Sequence, residues 1–285
     1  MMKANTFPLY RVCMLGIALF ALCWHGPVRS QTNSIPVRVN RWLEIRQLGG
    51  AVRYRNQTGA GQAAIGTRLQ AVGDSIQTLQ NSYAALAVDT GIGFVKLSEN
   101  TTIRIQQLQP IANGGRLTRL QVTGGQVRLQ VRPFTNPRSG FQLETPAGWR
   151  GVRGTEVRVS VHPNGNTGVA ATLESGSSTA DQVKVVEIDN GFESLVIPRE
   201  PPLRPVPRAK NSYWTASVLA AIDRNSAQVA GQTDLVNLLS LGNISQSITR
   251  EGQFNVRIPS PANGVIRAVV ITPLGKKQVY ELAIP

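Results

Sequence analysis

The chain has 285 residues, 30 of them Lys or Arg against 16 Asp or Glu, for a formal net charge of +14. That length allows one to three domains with a real core. It contains two cysteines and two histidines, and Cys13, Cys23 and His25 all fall in the first 30 residues. A chain without that stretch has no disulfide framework, no thiolate metal site and no cysteine nucleophile.

Residues 1–30 read as an export signal. Lys3 and Arg11 give a positive start, and Val12 to Trp24 is apolar but shorter than the roughly twenty residues a spanning helix needs. Val28 and Ser30 then occupy the −3 and −1 positions of a cleavage site before Gln31. The expectation is a cleaved leader, a periplasmic or secreted envelope protein, and no stable transmembrane span after cleavage. An uncleaved anchor is the alternative, and acylation at Cys23 is disfavoured by the bulky Leu22 before it. Loss of Lys3, Arg11 and Arg29 with the leader lowers the net charge from +14 to +11. A basic exported chain points to polyanionic neighbours such as lipopolysaccharide, acidic polysaccharide or anionic headgroups. Nucleic acid is not expected there. The plainer alternative is a solvated surface that happens to be basic.

After a lead-in over 31–46, short alternating segments follow one another from 47 to 197. Ala51 to Arg55 alternates and ends at a turn from Asn56 to Gly61. Strands are expected at Gly73 to Thr78, Ser82 to Val88, Gly93 to Leu97, Thr101 to Gln106 and Leu117 to Val122. Gln126 to Arg132 is the cleanest, with Val127, Leu129 and Val131 inward and Arg128, Gln130 and Arg132 outward. Segments of this length divided by Gly, Asn and Pro describe an all-β domain. Gly49-Gly50-Ala51-Val52-Arg53 and Gly124-Gly125-Gln126-Val127-Arg128 share Gly-Gly-x-Val-Arg. This weak repeat favours an elongated, wrapped or solenoid-like arrangement.

Phe141 to Val161 is the hub of this domain. Two alternating runs flank Thr145-Pro146 and the glycines Gly148, Gly151 and Gly154, which suit positive φ or close approach. Arg153 lies between two of these glycines, within reach of free carbonyls or of Glu144 or Glu156. Thr145, Pro146, Gly151, Val152, Arg153, Gly154 and Thr155 are assigned to structure.

Thr145-Pro146 followed by Val152-Arg153-Gly154-Thr155-Glu156 and a Val-rich strand resembles the signature of the FecR domain family. Gly73-Asp74-x-Ile76-x-Thr78, Ser82-x-Ala84-x-Leu86 and Gly125-x-Val127 extend the resemblance over about 47–196. Leu79, Asp89-Thr90-Gly91 and Leu173-Glu174-Ser175-Gly176 depart from the family pattern, all in turns. The resemblance implies an envelope protein. It also implies an alternative role as a periplasmic signal-transduction component related to regulators of iron transport. In those regulators a cytoplasmic anti-sigma domain precedes the membrane span, and only eleven residues precede the apolar run here.

Pro198, Pro201, Pro202, Pro205 and Pro207, spaced by Arg199, Arg204 and Arg208, make 198–210 an extended basic linker. An arm packed back on the first domain is the other reading. Residues 211–285 are expected to form a small immunoglobulin-like β-sandwich with too few strands for a full immunoglobulin domain. Its opening stretch, Tyr213 to Ile222, suits either helix or strand.

Chemistry has little to work with. His162 precedes Pro163-Asn164-Gly165, a turn sequence, and is expected to be solvated. Glu144 and Glu156 are the one pair of acids that could approach each other. No metal site or cofactor site is expected, and the chain reads as a nonenzymatic binding or scaffold protein. Arg53, Arg55, Arg128 and Arg132 are its candidate contacts to a polyanion or to another envelope protein.

Overall fold

The computed structural model describes residues 41–152, 156–173, 176–180, 184–208, 213–223, 225–272 and 274–284. They lie in one compact unit, Asn40–Pro285. The expected leader and Arg153, Gly154 and Thr155 fall outside the described residues. The described regular structure is strand throughout, apart from one 3-10 turn at Ala112–Gly114.

The first half of the unit contains β1 (Leu43–Gly49), β2 (Val52–Asn56), β3 (Gly59–Gln62), β4 (Arg68–Leu69), β5 (Ser75–Thr78) and β6 (Tyr83–Val88). Then come β7 (Gly93–Leu97), β8 (Thr102–Ile111), β9 (Gly115–Val131), β10 (Gly140–Thr145), β11 (Gly148–Val152) and β12 (Glu156–Val161). It closes with β13 (Thr167–Leu173), β14 (Gly176–Ala180), β15 (Lys184–Ile188), β16 (Phe192–Val196) and β17 (Val206–Pro207). Sheet I runs β4-β1-β6-β7-β9-β12-β13-β16-β17. Sheet II runs β3-β2-β5-β8-β9-β10-β11-β14-β15. β9 belongs to both, and only its pairing with β10 is parallel.

One apolar cluster fills the space between the sheets. Val127, Leu129, Val157 and Val159 come from sheet I; Ile76, Ile103, Leu120 and Leu143 come from sheet II. Each such side chain contributes about 1.5–3 kcal/mol by leaving water. The alternation seen in the sequence is this inward face, and the polar residues between line the two outer faces.

The Gly-Gly-x-Val-Arg repeat marks where the chain changes sheet. Gly125 has φ +86, and a side chain there would begin 2.3 Å from the Thr101 Oγ1. That hydroxyl accepts the Gln126 N–H at 3.0 Å. At Gly50, with φ +74, the Ser82 Oγ plays the same part and accepts the Ala51 N–H at 2.8 Å. The crossing in β9 needs no loop, so the two segments read separately from sequence are one strand.

The second half contains β18 (Trp214–Asp223), β19 (Ser226–Thr233), β20 (Leu238–Leu241), β21 (Ile244–Gln246), β22 (Gln253–Pro259), β23 (Val265–Ile271) and β24 (Lys277–Ala283). They form sheets β18-β19-β22 and β21-β20-β23-β24 around a separate core with Val229, Leu239, Phe254 and Val270. Trp214 stacks on Phe254 and Tyr280 at centroid distances of 5.5 and 5.3 Å. The stretch from Tyr213 that suited helix or strand is β18, laddered to β19 with two irregularities.

The Pro-rich arm is tied down. The Leu203 N–H donates to Leu195 O, the Ser194 hydroxyl donates to Leu203 O, and β17 pairs with β16. The second sandwich rests on one end of sheet I's outer face. The Gln126 amide donates to Thr272 O at 2.8 Å, Lys277 pairs with Glu99 at 2.8 Å, and Gln80 donates to Asn243 at 2.7 Å. A side chain at Gly168 would begin 2.9 Å from the Val236 Cα, so the close approach there requires glycine.

Candidate functional site

A concavity of about 560 Å³ lies on β3, β2, β5 and β8 of sheet II. Its shape follows from the register. One cross-strand row is Gln62, Arg53, Gln77, Thr102; the next is Ala60, Arg55, Ser75, Arg104. Short residues, Ala60, Gly61, Ser75 and Thr102, make the floor. Long ones, Arg53, Arg55, Arg104, Gln62 and Gln77, make the walls. Arg53 and Arg55 sit about 7 Å apart along the strand, and Arg104 about 10 Å from Arg55 across two strand spacings.

Among the described residues no acid lines this concavity. Arg53, Arg55 and Arg104 are exposed, and none has a carboxylate partner among the described residues. Like charges held together without counterions raise the local potential and favour an anionic ligand. Arg104 was not singled out in the sequence. Its place in the alternation of β8 could have found it, but its neighbourhood with Arg55 depends on strand order.

The four candidate arginines do not form one surface. Arg53 and Arg55 share the concavity, whereas Arg128 lies on sheet I in the row Lys96, Arg128, Arg158. Arg128 is half-buried and pairs with Glu156 at 2.5 Å. Arg158 also reaches Glu156, at 3.4 Å, and donates to Leu274 O in the second sandwich. Burial, with Arg128 close by, lowers the Arg158 pKa. Arg132 is exposed at the end of β9, near Gly91.

The Thr145-Pro146 hub is the tip of the β10–β11 hairpin. The Thr145 hydroxyl donates to Gly148 O at 3.0 Å and accepts from Thr167 at 3.0 Å, which ties the tip to β13. Pro146 packs by Gly165, and Val152 is buried. Gly148 has φ +125, but Gly151 is an interior strand residue paired to Gln142 and Ser177.

Two expectations about reactive groups change. Glu144 and Glu156 point to opposite outer faces, because Leu143 and Val157 both face the core between the sheets. His162 is not solvated at a hairpin tip; it is 1% exposed under the second sandwich. Burial lowers its pKa to about 4, only partly offset by the Leu235 and Gln246 backbones. Neither ring nitrogen has a well-formed hydrogen bond. The turn forms where the sequence predicts it, but no local pattern shows that the second sandwich covers it.

Arg41, also missed, is 4% exposed. It pairs with Asp89 at 2.7 Å and donates to Gln109 O, Leu117 O and the Thr118 hydroxyl at 3.0, 2.6 and 2.7 Å. All its contacts are at least 48 residues away, so sequence spacing carries no trace of them.

The fold and site define an all-β protein of two packed sandwiches with an acid-free arginine concavity on the larger one. A family model described as FecR protein matches residues 74–177, within that larger sandwich. The match begins in the turn before β5 and ends in β14, so it includes Arg104 but not Arg53 or Arg55. No curated protein and no solved structure matches the chain. Among the described residues no helix is long and apolar enough to cross a membrane.

Proposed function

We propose that the chain is a noncatalytic FecR-domain module of the cell envelope, exported by its leader, that binds an anionic partner in the Arg53, Arg55 and Arg104 concavity. The convergence of three guanidinium groups, with no carboxylate partner among the described residues, carries this reading. A rigid sheet holds them, so binding requires little ordering beyond the side chains. The partner is an envelope protein or an anionic polysaccharide such as lipopolysaccharide. In the same reading the hairpins that pass between sheets I and II are a solenoid-like wrap. The second sandwich, three strands against four, is immunoglobulin-like in arrangement.

Binding to dextran sulfate should weaken as salt rises, because exposed charges are screened. Reversing all three charges to Glu is expected to reduce the affinity by at least about tenfold, since each charge-assisted contact contributes on the order of 1 kcal/mol. The melting temperature should stay unchanged, and Arg132→Glu should leave binding intact. Unchanged binding by the triple variant would remove the site.

A further inference from the structure

The concavity is bounded on one side by the free edge of β3. The Ala63 N–H donates to Val52 O at 2.7 Å, and the register sets Arg53 opposite Gln62, Tyr54 opposite Gly61 and Arg55 opposite Ala60. Bonded and non-bonded pairs alternate along an antiparallel ladder. The 54–61 pair is therefore bonded, and the 53–62 and 55–60 pairs are not. It follows that the amides and carbonyls of Ala60 and Gln62 point away from β2, toward solvent.

All four residues of β3 are exposed, and among the described residues only β2 pairs with it. Free edges are ordinarily blunted by Pro, Lys, a bulge or brevity. The edge strand β17 contains Pro207, and the edge strand β4 has two residues. β3, Gly-Ala-Gly-Gln, carries no Pro, Lys or bulge.

We propose that this edge accepts an extended segment of a partner protein as an added strand, with acidic residues at alternate positions. The proposal rests on the anionic-partner reading above and specifies which partner the site takes. Residues of the added strand opposite Ala60 and Gln62 project onto the same face as Arg55 and Arg53. The small Ala60 side chain leaves room for their carboxylates to reach the guanidinium groups. The residue between them lies opposite Gly61, on the other face. There the Tyr54 ring is 3.5 Å from where a Gly61 side chain would begin, so an apolar residue covers it. The recognised pattern is acid, apolar, acid. Main-chain bonds supply affinity, and alternate side chains supply selectivity.

The test uses the full exported chain and capped heptapeptides containing Glu-Val-Glu. With the added strand antiparallel to β3, its two Glu amides bond β3, while the amide of the Val between them points outward. N-methylating both Glu amides should weaken binding by about tenfold or more, and N-methylating that Val amide should have little effect. Ala60→Pro removes an outward N–H that bonds nothing in β2. It should abolish peptide binding while leaving the melting temperature near that of the parent.

Equal binding of all the N-methylated peptides, or of a peptide with the acids made contiguous, would overturn strand addition and leave the arginine site standing. Loss of neither ligand in the triple charge reversal would overturn both. Self-association that Ala60→Pro abolishes, without peptide binding, would assign the edge to a second copy of the chain and overturn the proposal. Should Ala60→Pro fail to fold, the N-methylated pair decides alone.

Discussion

Replacing Arg41 by Ala is expected to destabilise the larger sandwich by about 3–5 kcal/mol, the loss usual when one member of a buried ion pair is removed. The Asp89 carboxylate would stay buried without its cation, and among the described residues only the Trp42 N–H would still reach it, at 2.9 Å. Two carbonyls from separate strands, Gln109 O and Leu117 O, would lose their donor as well. Arg41 joins the entry of β1 to the turn after β6 and to the β8–β9 pair, so its removal loosens three connections together. Denaturant midpoints should fall for Arg41→Ala with the unfolding slope unchanged. Replacing both partners, as in Arg41→Met with Asp89→Asn, should recover much of the loss because no uncompensated charge remains. A single variant as stable as its parent would show that the pair contributes nothing.

The sequence revealed what repeats at short range and hid what depends on strand order. Alternation in Gln126 to Arg132 predicts which residues face the core, since the two faces of a strand are fixed by pleating alone. It cannot tell whether the outward face meets water. Arg53 and Arg128 occupy equivalent places in the Gly-Gly-x-Val-Arg repeat, yet one opens to solvent and the other pairs with Glu156. The difference lies in which sheet each enters and what rests on that sheet. The sequence predicts a turn where β3 lies, because Gly59 and Gly61 favour turns locally. It becomes a strand because β2 offers a ladder, and tertiary context overrides weak propensity. The Pro-rich arm has the composition of a spacer, but its backbone finds partners on β16 that composition does not encode. The separation of the acids has the same cause. Glu144 and Glu156 are close in sequence, and the chain changes sheets between them.

The second large effect concerns acidity where the sandwiches meet. Buried His162 is neutral when folded, with a pKa near 4 against an ordinary 6.5. An unfolded or undocked chain therefore binds a proton first, and stability falls as pH drops from about 6.5 to about 4. Glu193 works in the opposite sense. Desolvation and the nearby Asp234 carboxylate raise its pKa to about 7, against a weaker pull from Arg208. The folded form holds that proton, so stability falls as pH rises from about 4.5 to about 7. Each shift corresponds to about 3 kcal/mol when fully expressed. In the parent the two slopes oppose each other and nearly cancel between about pH 4.5 and 6.5. Glu193→Gln should expose the histidine slope, giving a chain that loses stability steadily on acidification relative to parent. His162→Gln should expose the other slope, with stability lost instead toward neutral pH. Denaturant midpoints across pH 4 to 8 for the three proteins measure this directly. Parallel profiles would mean that neither group changes its protonation when the sandwiches separate. The same pair implies that the contact between them is tightest in mildly acidic solution, where His162 has not yet gained its proton and Glu193 has not yet lost its own.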